Sequence, residues 1–387
     1  MLRLAFQVCI FLILTNRQVC ANEFPLVTED FATHIRQVET YLLENRMRSR
    51  SEAETRLNLP FELKAAVNVP YRGKFLLIHG LNDSAYVWTD MAKQLSRLGF
   101  DVRAILLAGH GSHPAKMLTV SYSEWLQAVR SHFRFWNQDD TPIFVGGFSM
   151  GAVLATSLAL ENPDIAGLLL ISPAYHSRLN SLLRWAGIYA WFKPWMFGGM
   201  ILEDNPIKYN SIPINSGTQY YRSTIHLKTQ LGRDRKTWTG EAMPMPVVMV
   251  VTANDSVVDI EYSRDLFRQQ FKNPDSRLVI YQPEPGTGGP RELVRNSYYP
   301  ERRILNLSHL SLLNAPDNPL FGEHGKILVC NGNEYPVFMA CMRASNHWYA
   351  AQHSLSPDGV AVARSTYNPD FHFLIELIDQ VLKPPRN

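Results

Sequence analysis

Short, largely apolar runs alternate with helical segments through much of this chain. Apolar runs at 75–78, 102–107, 143–148 and 165–171 are separated by segments with helical character, and the pattern resumes at 246–251 and 277–281. Strands that are apolar on both faces belong to parallel sheets covered by helices on both sides. The sequence therefore predicts an α/β fold built on a mostly parallel sheet.

The third run ends in the pentapeptide Gly147-Phe148-Ser149-Met150-Gly151, and an alanine- and leucine-rich helix follows it. A G-x-S-x-G turn between strand and helix holds its serine hydroxyl out at the top of a sheet. The two glycines let strand and helix approach closely. Alone, the pattern also fits an ordinary serine in a glycine turn, so its weight comes from the strand before it, the helix after it and partners later in the chain.

The bulk properties are those of a globular protein. The chain has 387 residues, of which 46% are hydrophobic and 19% charged, and a formal net charge of +3. The first 21 residues contain Arg3 and Arg17 but no acidic residue, so the remainder carries only +1. A charge this close to zero lacks the excess of basic residues that is typical of nucleic-acid-binding proteins.

Residues 1–21 are typical of a secretory signal peptide. Arg3 precedes an apolar stretch that is too short to span a bilayer comfortably, and Val19-Cys20-Ala21 supplies small residues for cleavage. An uncleaved anchor is the alternative. We expect an exported protein, periplasmic or secreted. N-glycosylation patterns at Asn82, Asn254 and Asn306 fall where a glycan would block the site described below, which favours a bacterial source.

Two cysteines, Cys330 and Cys341, remain after removal of the signal. In an exported chain such a pair predicts a disulfide, and two buried free thiols are the alternative. For the rest of the chain we expect an N-terminal extension at 22–70, with an amphipathic helix over 29–47, and a main domain at 71–383. The main domain contains an aromatic-rich insertion at 176–243, an inserted loop at 283–303 and a late insertion at 311–366.

An unaided serine hydroxyl is a poor nucleophile and needs a base, which in turn needs an orienting acid. Asp255 follows the apolar run 246–251 at the strand end where ligand-facing residues of parallel sheets lie. Asp259 is the alternative acid, and either aspartate could instead be a helix N-cap. His309, beyond the last predicted strand, suits the base. The predicted catalytic residues are thus Ser149, Asp255 and His309, in the order expected for this kind of sheet.

Two backbone amides are needed to stabilise the oxyanion of a tetrahedral intermediate. The amide of Met150, directly after the serine, is one candidate. The second is the amide of Leu81, in the loop after the first apolar run. We expect His79 to brace that loop, with a simple core histidine as the alternative.

These motifs together resemble the α/β-hydrolases of the branch that holds monoglyceride lipases, lysophospholipases and serine aminopeptidase-like hydrolases. The matching residues run in the right order from Ile78-His79-Gly80-Leu81 through Gly109-His110-Gly111 and the serine pentapeptide to Asn254-Asp255-Ser256 and Ser308-His309. The resemblance implies the α/β-hydrolase fold, a serine nucleophile, no metal, no organic cofactor, and a cap where 176–243 falls. The 54-residue spacing of Asp255 and His309 and the late insertion depart from the family pattern.

The predicted cap is rich in aromatic residues, and we expect Trp185, Trp191, Phe192 and Trp195 to bind substrate. An apolar lid suits an acyl chain, although the rings could instead pack the cap against the body. The favoured hypothesis is a carboxylic-ester hydrolase whose small-molecule substrate is a lipid-like acyl ester, such as a monoglyceride or lysophospholipid, with transient contact to a membrane surface. A serine peptidase or amidase, an acyltransferase and a non-catalytic binding module are the alternatives. The sequence does not fix the oligomeric state.

Overall fold

A computed structural model describes residues 23–28, 30–195, 205–208, 213–234, 237–330, 335–351 and 356–384. The predicted signal peptide at 1–21 lies outside these ranges. Within them, no helix combines the length and the apolar character needed to cross a bilayer.

A central sheet of eight strands has the order β1-β3-β2-β4-β5-β8-β9-β10, and only β1 runs antiparallel to its neighbour. Two further pairs, β6-β7 and β11-β12, lie outside it. The strands are β1 Phe61–Leu63, β2 Gly73–Ile78, β3 Phe100–Ile105, β4 Ile143–Phe148, β5 Gly167–Ile171, β6 Arg233–Asp234, β7 Thr237–Trp238, β8 Val247–Thr252, β9 Arg277–Gln282, β10 Glu292–Asn296, β11 Trp348–Ala350 and β12 Val362–Arg364.

Helices cover both faces of the sheet, which confirms the predicted mostly parallel α/β architecture. They are α1 Phe31–Glu44, α2 Glu52–Arg56, α3 Thr89–Arg97, α4 Tyr122–Trp136, α5 Met150–Glu161, α6 Asn180–Tyr189, α7 Ile214–Gln230, α8 Ile260–Gln270, α9 Tyr335–Arg343 and α10 Phe371–Val381.

Alternate side chains of the same strand supply two separate cores. Leu76 and Ile78 of β2 point into the layer that contains α4, α5 and α8, whereas Phe75 and Leu77 point into the layer that contains α3 and α10. Because successive side chains of a strand face opposite sides, a strand buried on both faces is apolar along most of its length. This explains the continuous apolar runs of the sequence.

The carboxyl ends of the central strands are level with one another. Ile78 at the end of β2 pairs with Gly147, Phe148 at the end of β4 pairs with Ile171, and Ile171 pairs with Val250 of β8. The loops that leave these strands therefore emerge side by side at one edge of the sheet, where ligands of parallel sheets bind.

The prediction of an inserted loop at 283–303 is wrong in one respect. The segment contains the edge strand β10, which pairs in parallel with β9. Glu292 opens this strand with its side chain fully buried, and it is held by ion pairs from Arg264 at 2.7 Å and Arg268 at 2.6 Å. Strand β10 lies at the end of the sheet, where polar side chains are tolerated. Its mixed composition therefore lacks the continuous apolar run that marked the central strands.

The predicted amphipathic helix of the N-terminal extension is present as α1, shorter at both ends than expected. It begins after Asp30, which caps it by accepting a hydrogen bond from the amide of Ala32. Its buried face packs on the body, where the guanidinium of Arg103 lies 4.1 Å above the ring of Phe31 and 4.4 Å above that of Trp136. This cation–π sandwich joins the extension to the sheet.

The segment 176–243, predicted as a cap, contains α6, α7 and the two-residue hairpin β6-β7. Helix α7 is held against the body by polar contacts. The side-chain amide of Asn215 donates to the backbone carbonyls of Met117 and Val120, both at 2.9 Å. The hydroxyl of Tyr220 donates to the carbonyl of Ala174 at 2.8 Å. Helix α6 then packs on α7.

The late segment 311–366 carries α9 and the pair β11-β12. Cys330 and Cys341 are joined by a disulfide and are both buried, as the sequence predicted. The free-thiol alternative is therefore wrong.

The turn between β4 and α5 is closely packed around its glycines. A β-carbon on Gly151 would overlap the carbonyl oxygen of Ile78 and lie 2.5 Å from that of His79. Those atoms belong to the backbone of β2 and its loop, so they cannot move aside as a flexible side chain would.

We therefore expect Gly151→Ala to lower the free energy of unfolding by about 1–3 kcal/mol or more, because the new methyl group overpacks a fixed backbone. Urea denaturation measures the change. Gly187→Ala is the control, since its β-carbon would meet only a side-chain methyl group of Thr218 at 3.3 Å. Equal stability of the Gly151→Ala variant and the wild-type protein would show that the turn is not tight.

Apart from His309, four histidines of the described residues are buried: His34, His79, His110 and His132. Burial lowers the pKa of His34 to about 4 and that of His79 to about 4. It also lowers the pKa of His110 and His132 well below the usual value of 6.5. In an unfolded chain each imidazole regains a pKa of about 6.5.

Between pH 6.5 and 4 the unfolded chain therefore binds more protons than the folded chain, so the free energy of unfolding falls as the pH falls. We expect a loss of about 1 kcal/mol per pH unit from each histidine that must charge. His34→Leu should flatten this slope in denaturation experiments between pH 7 and 4.5, whereas His324→Gln, at an exposed position, should not. An unchanged slope in His34→Leu would count against the neutral state of His34.

Candidate active site

Ser149 lies between β4 and α5 with a positive φ of 54°. Its amide donates to the carbonyl of Ile171 at 3.0 Å, and its own carbonyl accepts from the amides of Ala152 and Ala174, both at 3.1 Å. Left-handed backbone at a residue other than glycine is strained and persists only where the surroundings impose it. Here the neighbouring strand and helix hold the serine at the level edge of the sheet.

His309 joins the serine to a carboxylate. Its Nε2 lies 2.9 Å from Ser149 Oγ, and its Nδ1 lies 2.7 Å from Asp255 Oδ2. The three residues are distant in sequence, and the structure brings their side chains into contact. With the proton on Nδ1 the imidazole donates to Asp255 and accepts from the serine hydroxyl.

Asp255 is buried, with 1% of its surface exposed, and burial opposes its ionisation. Electrostatic attraction to His309, the hydrogen bond from its ring and the amides of Val257 and Val258 together outweigh burial and lower the pKa of Asp255. Those amides donate to Oδ1 at 2.8 and 3.0 Å. The carboxylate is therefore kept ionised, and its second oxygen faces the imidazole.

Asp259, the alternative acid, is the N-cap of a helix, which is the other role that the sequence allowed for it. Its side chain accepts from the amide of Tyr262 at 3.2 Å and caps α8. Its second oxygen lies 3.4 Å from Nδ1 of His176. Asp259 therefore belongs to the helix terminus, and Asp255 is the carboxylate that contacts His309.

Hydroxyl groups fix the loop that carries His309, and sequence reasoning did not identify them. Ser172 Oγ donates to the carbonyl of His309 at 3.1 Å, and Thr252 Oγ1 donates to that of Leu307 at 2.9 Å. Ser308 Oγ donates to the carbonyl of Ser365 at 2.6 Å. Ser172 and Thr252 both stand at strand ends, and a polar residue directly after an apolar strand was the available signal.

His79 braces the loop after β2, as expected. Its Nδ1 donates to the carbonyl of Gly80 at 2.7 Å, and its Nε2 accepts from the amide of Leu107 at 3.1 Å. The same side chain thus ties the ends of β2 and β3 together. A β-carbon on Gly80 would lie 3.1 Å from Cβ of Ser149, so the loop that contains Leu81 runs directly beside the serine.

Met150, the other predicted oxyanion donor, is the first residue of α5. The first amides of a helix have no acceptor within the helix, and the helix dipole makes this end favourable for negative charge. The amides of Leu81 and Met150 thus belong to two segments that both adjoin Ser149.

Three of the four aromatic residues predicted to bind substrate point to solvent. Trp185 is 60% exposed, Trp191 91% and Phe192 80%. Trp195 is partly buried, and its backbone pairs with Pro213. The structure does not pack the three exposed rings against the body, so that alternative is wrong for them.

In the described ranges no three histidine, cysteine or carboxylate side chains are grouped as the ligands of a metal ion would be.

The chain is similar in sequence to known hydrolases. The family described as "Serine aminopeptidase, S33" matches residues 70–283, more than half of the chain. A thermostable monoacylglycerol lipase of a Bacillus species is 32% identical over 99 residues, which is 26% of this chain and 40% of that protein. Lipase LipV of Mycobacterium tuberculosis is 33% identical over 103 residues, 26% of this chain and 37% of that lipase.

Thus the chain spans well under half the length of these curated relatives. Among solved structures, a monoacylglycerol lipase of Paleococcus ferrophilus aligns with a TM-score of 0.45 and 20% identity, covering 57% of this chain and 87% of that one. The family match and the parallel sheet lead to the same conclusion: this chain belongs to the serine aminopeptidase S33 family of α/β-hydrolases, in the branch that resembles monoglyceride lipases.

Proposed function

We propose that this protein is a serine carboxylic-ester hydrolase that forms an acyl-enzyme and acts on a lipid-like ester such as a monoglyceride or lysophospholipid. The observation that carries the proposal is the chain of hydrogen bonds from Ser149 through His309 to Asp255. Both distances are within the range needed for proton transfer between a nucleophile and its base.

In the proposed first step, Ser149 Oγ attacks the ester carbonyl while Nε2 of His309 takes the hydroxyl proton. Asp255 holds the imidazole in the required tautomer and stabilises the imidazolium that forms. The amides of Leu81 and Met150 donate to the oxyanion. His309 then returns the proton to the leaving alcohol, and an acyl group remains bound to Ser149.

In the second step, His309 takes a proton from a water molecule, which attacks the acyl carbon. The bond from that carbon to Ser149 Oγ then breaks, His309 returns the proton to Oγ, and the carboxylic acid is released. Attack by an alcohol instead of water would make the protein an acyltransferase, with the same residues in the same roles. The lipase and monoacylglycerol lipase relatives support a lipid-like ester as substrate.

The family description favours a second candidate, a peptidase that uses the same three residues. Recognition of a substrate amino terminus requires a carboxylate near the site. Of the four acidic residues in the 176–243 segment, Glu203 and Asp204 lie outside the described residues, as does the side chain of Asp234, and Glu241 is exposed. The ester hydrolase therefore remains our first proposal.

Ser149→Ala and His309→Ala should each lower kcat by several orders of magnitude without unfolding the chain, because nucleophile and base act as one unit. Asp255→Asn should lower kcat about 10⁴-fold, since the amide favours the wrong tautomer of His309. Asp259→Asn is the matched control and should retain activity, because that side chain caps α8. If Asp259→Asn lost activity while Asp255→Asn kept it, the catalytic acid would be Asp259 and not Asp255.

A panel of esters of increasing acyl length, with dipeptide substrates beside them, tests the substrate class. We expect kcat/KM to rise from acetyl to medium and long chains, because each buried methylene contributes about 0.8 kcal/mol to transition-state binding. Faster turnover of acetyl esters would contradict the lipid-like substrate. A higher kcat/KM for peptides than for esters would replace the ester-hydrolase proposal by the peptidase proposal.

A further inference from the structure

At its C-terminal end the late segment returns to the candidate active site, along β12 and the two residues that follow it. Strand β12 pairs in parallel with β11, and the amide of Ser365 donates to the carbonyl of Ala350 at 2.9 Å. The pair is tied to the body by Tyr349, whose amide donates to the carbonyl of Arg303 and whose carbonyl accepts from the amide of Leu305, both at 2.8 Å. Ser365 is buried. This part of the chain is therefore a firm support for whatever contacts it.

Arg364, the last residue of β12, holds the loop that carries Asp255. Its guanidinium donates from Nη2 to Ser256 Oγ at 3.0 Å and from Nε to the carbonyl of Ala351 at 3.2 Å. Ser256 directly follows Asp255, and its own hydroxyl donates to the same carbonyl at 3.4 Å. These contacts fix the turn whose next two amides hold Oδ1 of the carboxylate.

Ser365, the next residue, holds the loop that carries His309. Its carbonyl accepts from Ser308 Oγ at 2.6 Å, and the same hydroxyl accepts from the amide of Leu310 at 3.1 Å. One hydroxyl thus bridges the residues before and after the histidine. Two consecutive residues of the chain therefore support the loops of both Asp255 and His309, whose side chains lie 2.7 Å apart.

We propose that Arg364 is a positioning residue for the transfer of the serine proton. By holding Ser256, it keeps the carboxylate of Asp255 directed at Nδ1 of His309. A carboxylate in that place keeps a proton on Nδ1 and leaves Nε2 able to accept from the serine hydroxyl. This role rests on the proposed function for its catalytic consequence.

The chemistry of the arginine side chain suits this role. A guanidinium is planar and presents several N–H groups at fixed angles, so one arginine can hold two acceptors from different segments. Ser256 and Ala351 are such acceptors, 95 residues apart in sequence. Arg364 itself lies beyond the residues 70–283 that match the family. The support for the carboxylate therefore comes from a segment outside the family match.

Hydrolysis of a water-soluble p-nitrophenyl ester by Arg364→Met tests the role, because methionine keeps an unbranched apolar stem and removes every donor. Misplacement of a reacting group by about 1 Å lowers a rate about 100-fold, so we expect kcat to fall about tenfold or more. KM should stay within about twofold of the wild-type value, since His309 serves both steps of the reaction and the contacts to bound substrate are retained.

Two single variants serve as comparisons. Arg364→Lys should restore part of the lost kcat, because an ammonium group can hold one of the two acceptors but lacks the planar fork that holds both. Arg343→Met changes an exposed arginine of α9 in the same late segment and should leave kcat unchanged.

Two double variants test the route through which Arg364 acts. If it acts through Asp255, then Arg364→Met should not lower kcat further in the Asp255→Asn background. Ser256→Ala should lower kcat, and R364M/S256A should lose no more than Arg364→Met alone. A variant that is merely less stable would instead lose kcat by the same factor in every background.

Proton NMR of the full chain reads the contact itself, whether or not an ester is hydrolysed. A proton on Nδ1 of His309 that is shared with a buried carboxylate gives a signal far downfield, and His309→Ala identifies that signal by its loss. We expect it to broaden or disappear in Arg364→Met and to remain in Arg343→Met.

Unchanged kcat in a folded Arg364→Met variant would overturn the assigned role. A retained downfield signal in that variant, or an equal loss of kcat in the Asp255→Asn background, would do the same. Absence of ester hydrolysis in the wild-type chain would overturn the proposed function instead, and the NMR signal would still decide whether Arg364 positions the carboxylate.

Discussion

The level alignment of four parallel strands is the constraint on which the site depends. Backbone hydrogen bonds set the register of β2, β4, β5 and β8, so the residues that follow each strand emerge at the same height. Ser149 and Asp255 come from two of these ends. Since the pairing of a buried sheet cannot slip without turning apolar side chains to the wrong face, the relative position of Ser149 and Asp255 is fixed by the core.

His309 is placed differently, because it lies on a loop and not at a strand end. Its position depends on hydroxyl groups that cap neighbouring backbone carbonyls, two of them from the strand ends at Ser172 and Thr252. The imidazole is then held between a hydroxyl and a carboxylate with 5% of its surface exposed. Burial of this kind strengthens each hydrogen bond, and it also requires that every polar atom be satisfied.

Local patterns in the sequence predicted the sheet, the serine turn, Asp255 and His309, because each leaves a mark within a few residues. Strand β10 and the contact of Ser308 with Ser365 left no such mark, since edge pairing and long-range hydrogen bonds depend on parts of the chain that only folding brings together. The orientation of α6 could not be predicted either. Its aromatic residues are visible in the sequence, but which side is covered depends on how small the facing residues of α7 are.

The late segment beyond the family match connects the disulfide with the neighbours of both Asp255 and His309. The amide of Arg364 donates to the carbonyl of Val329, next to Cys330, and its guanidinium donates to Ser256, next to Asp255. The following residue, Ser365, accepts from Ser308 beside His309. Asp255 and His309 thus share one hydrogen-bonded connection, which begins beside the disulfide-bonded Cys330. The covalent cross-link between two buried sulfur atoms therefore bears on the placement of both residues, although it closes a segment outside the family match.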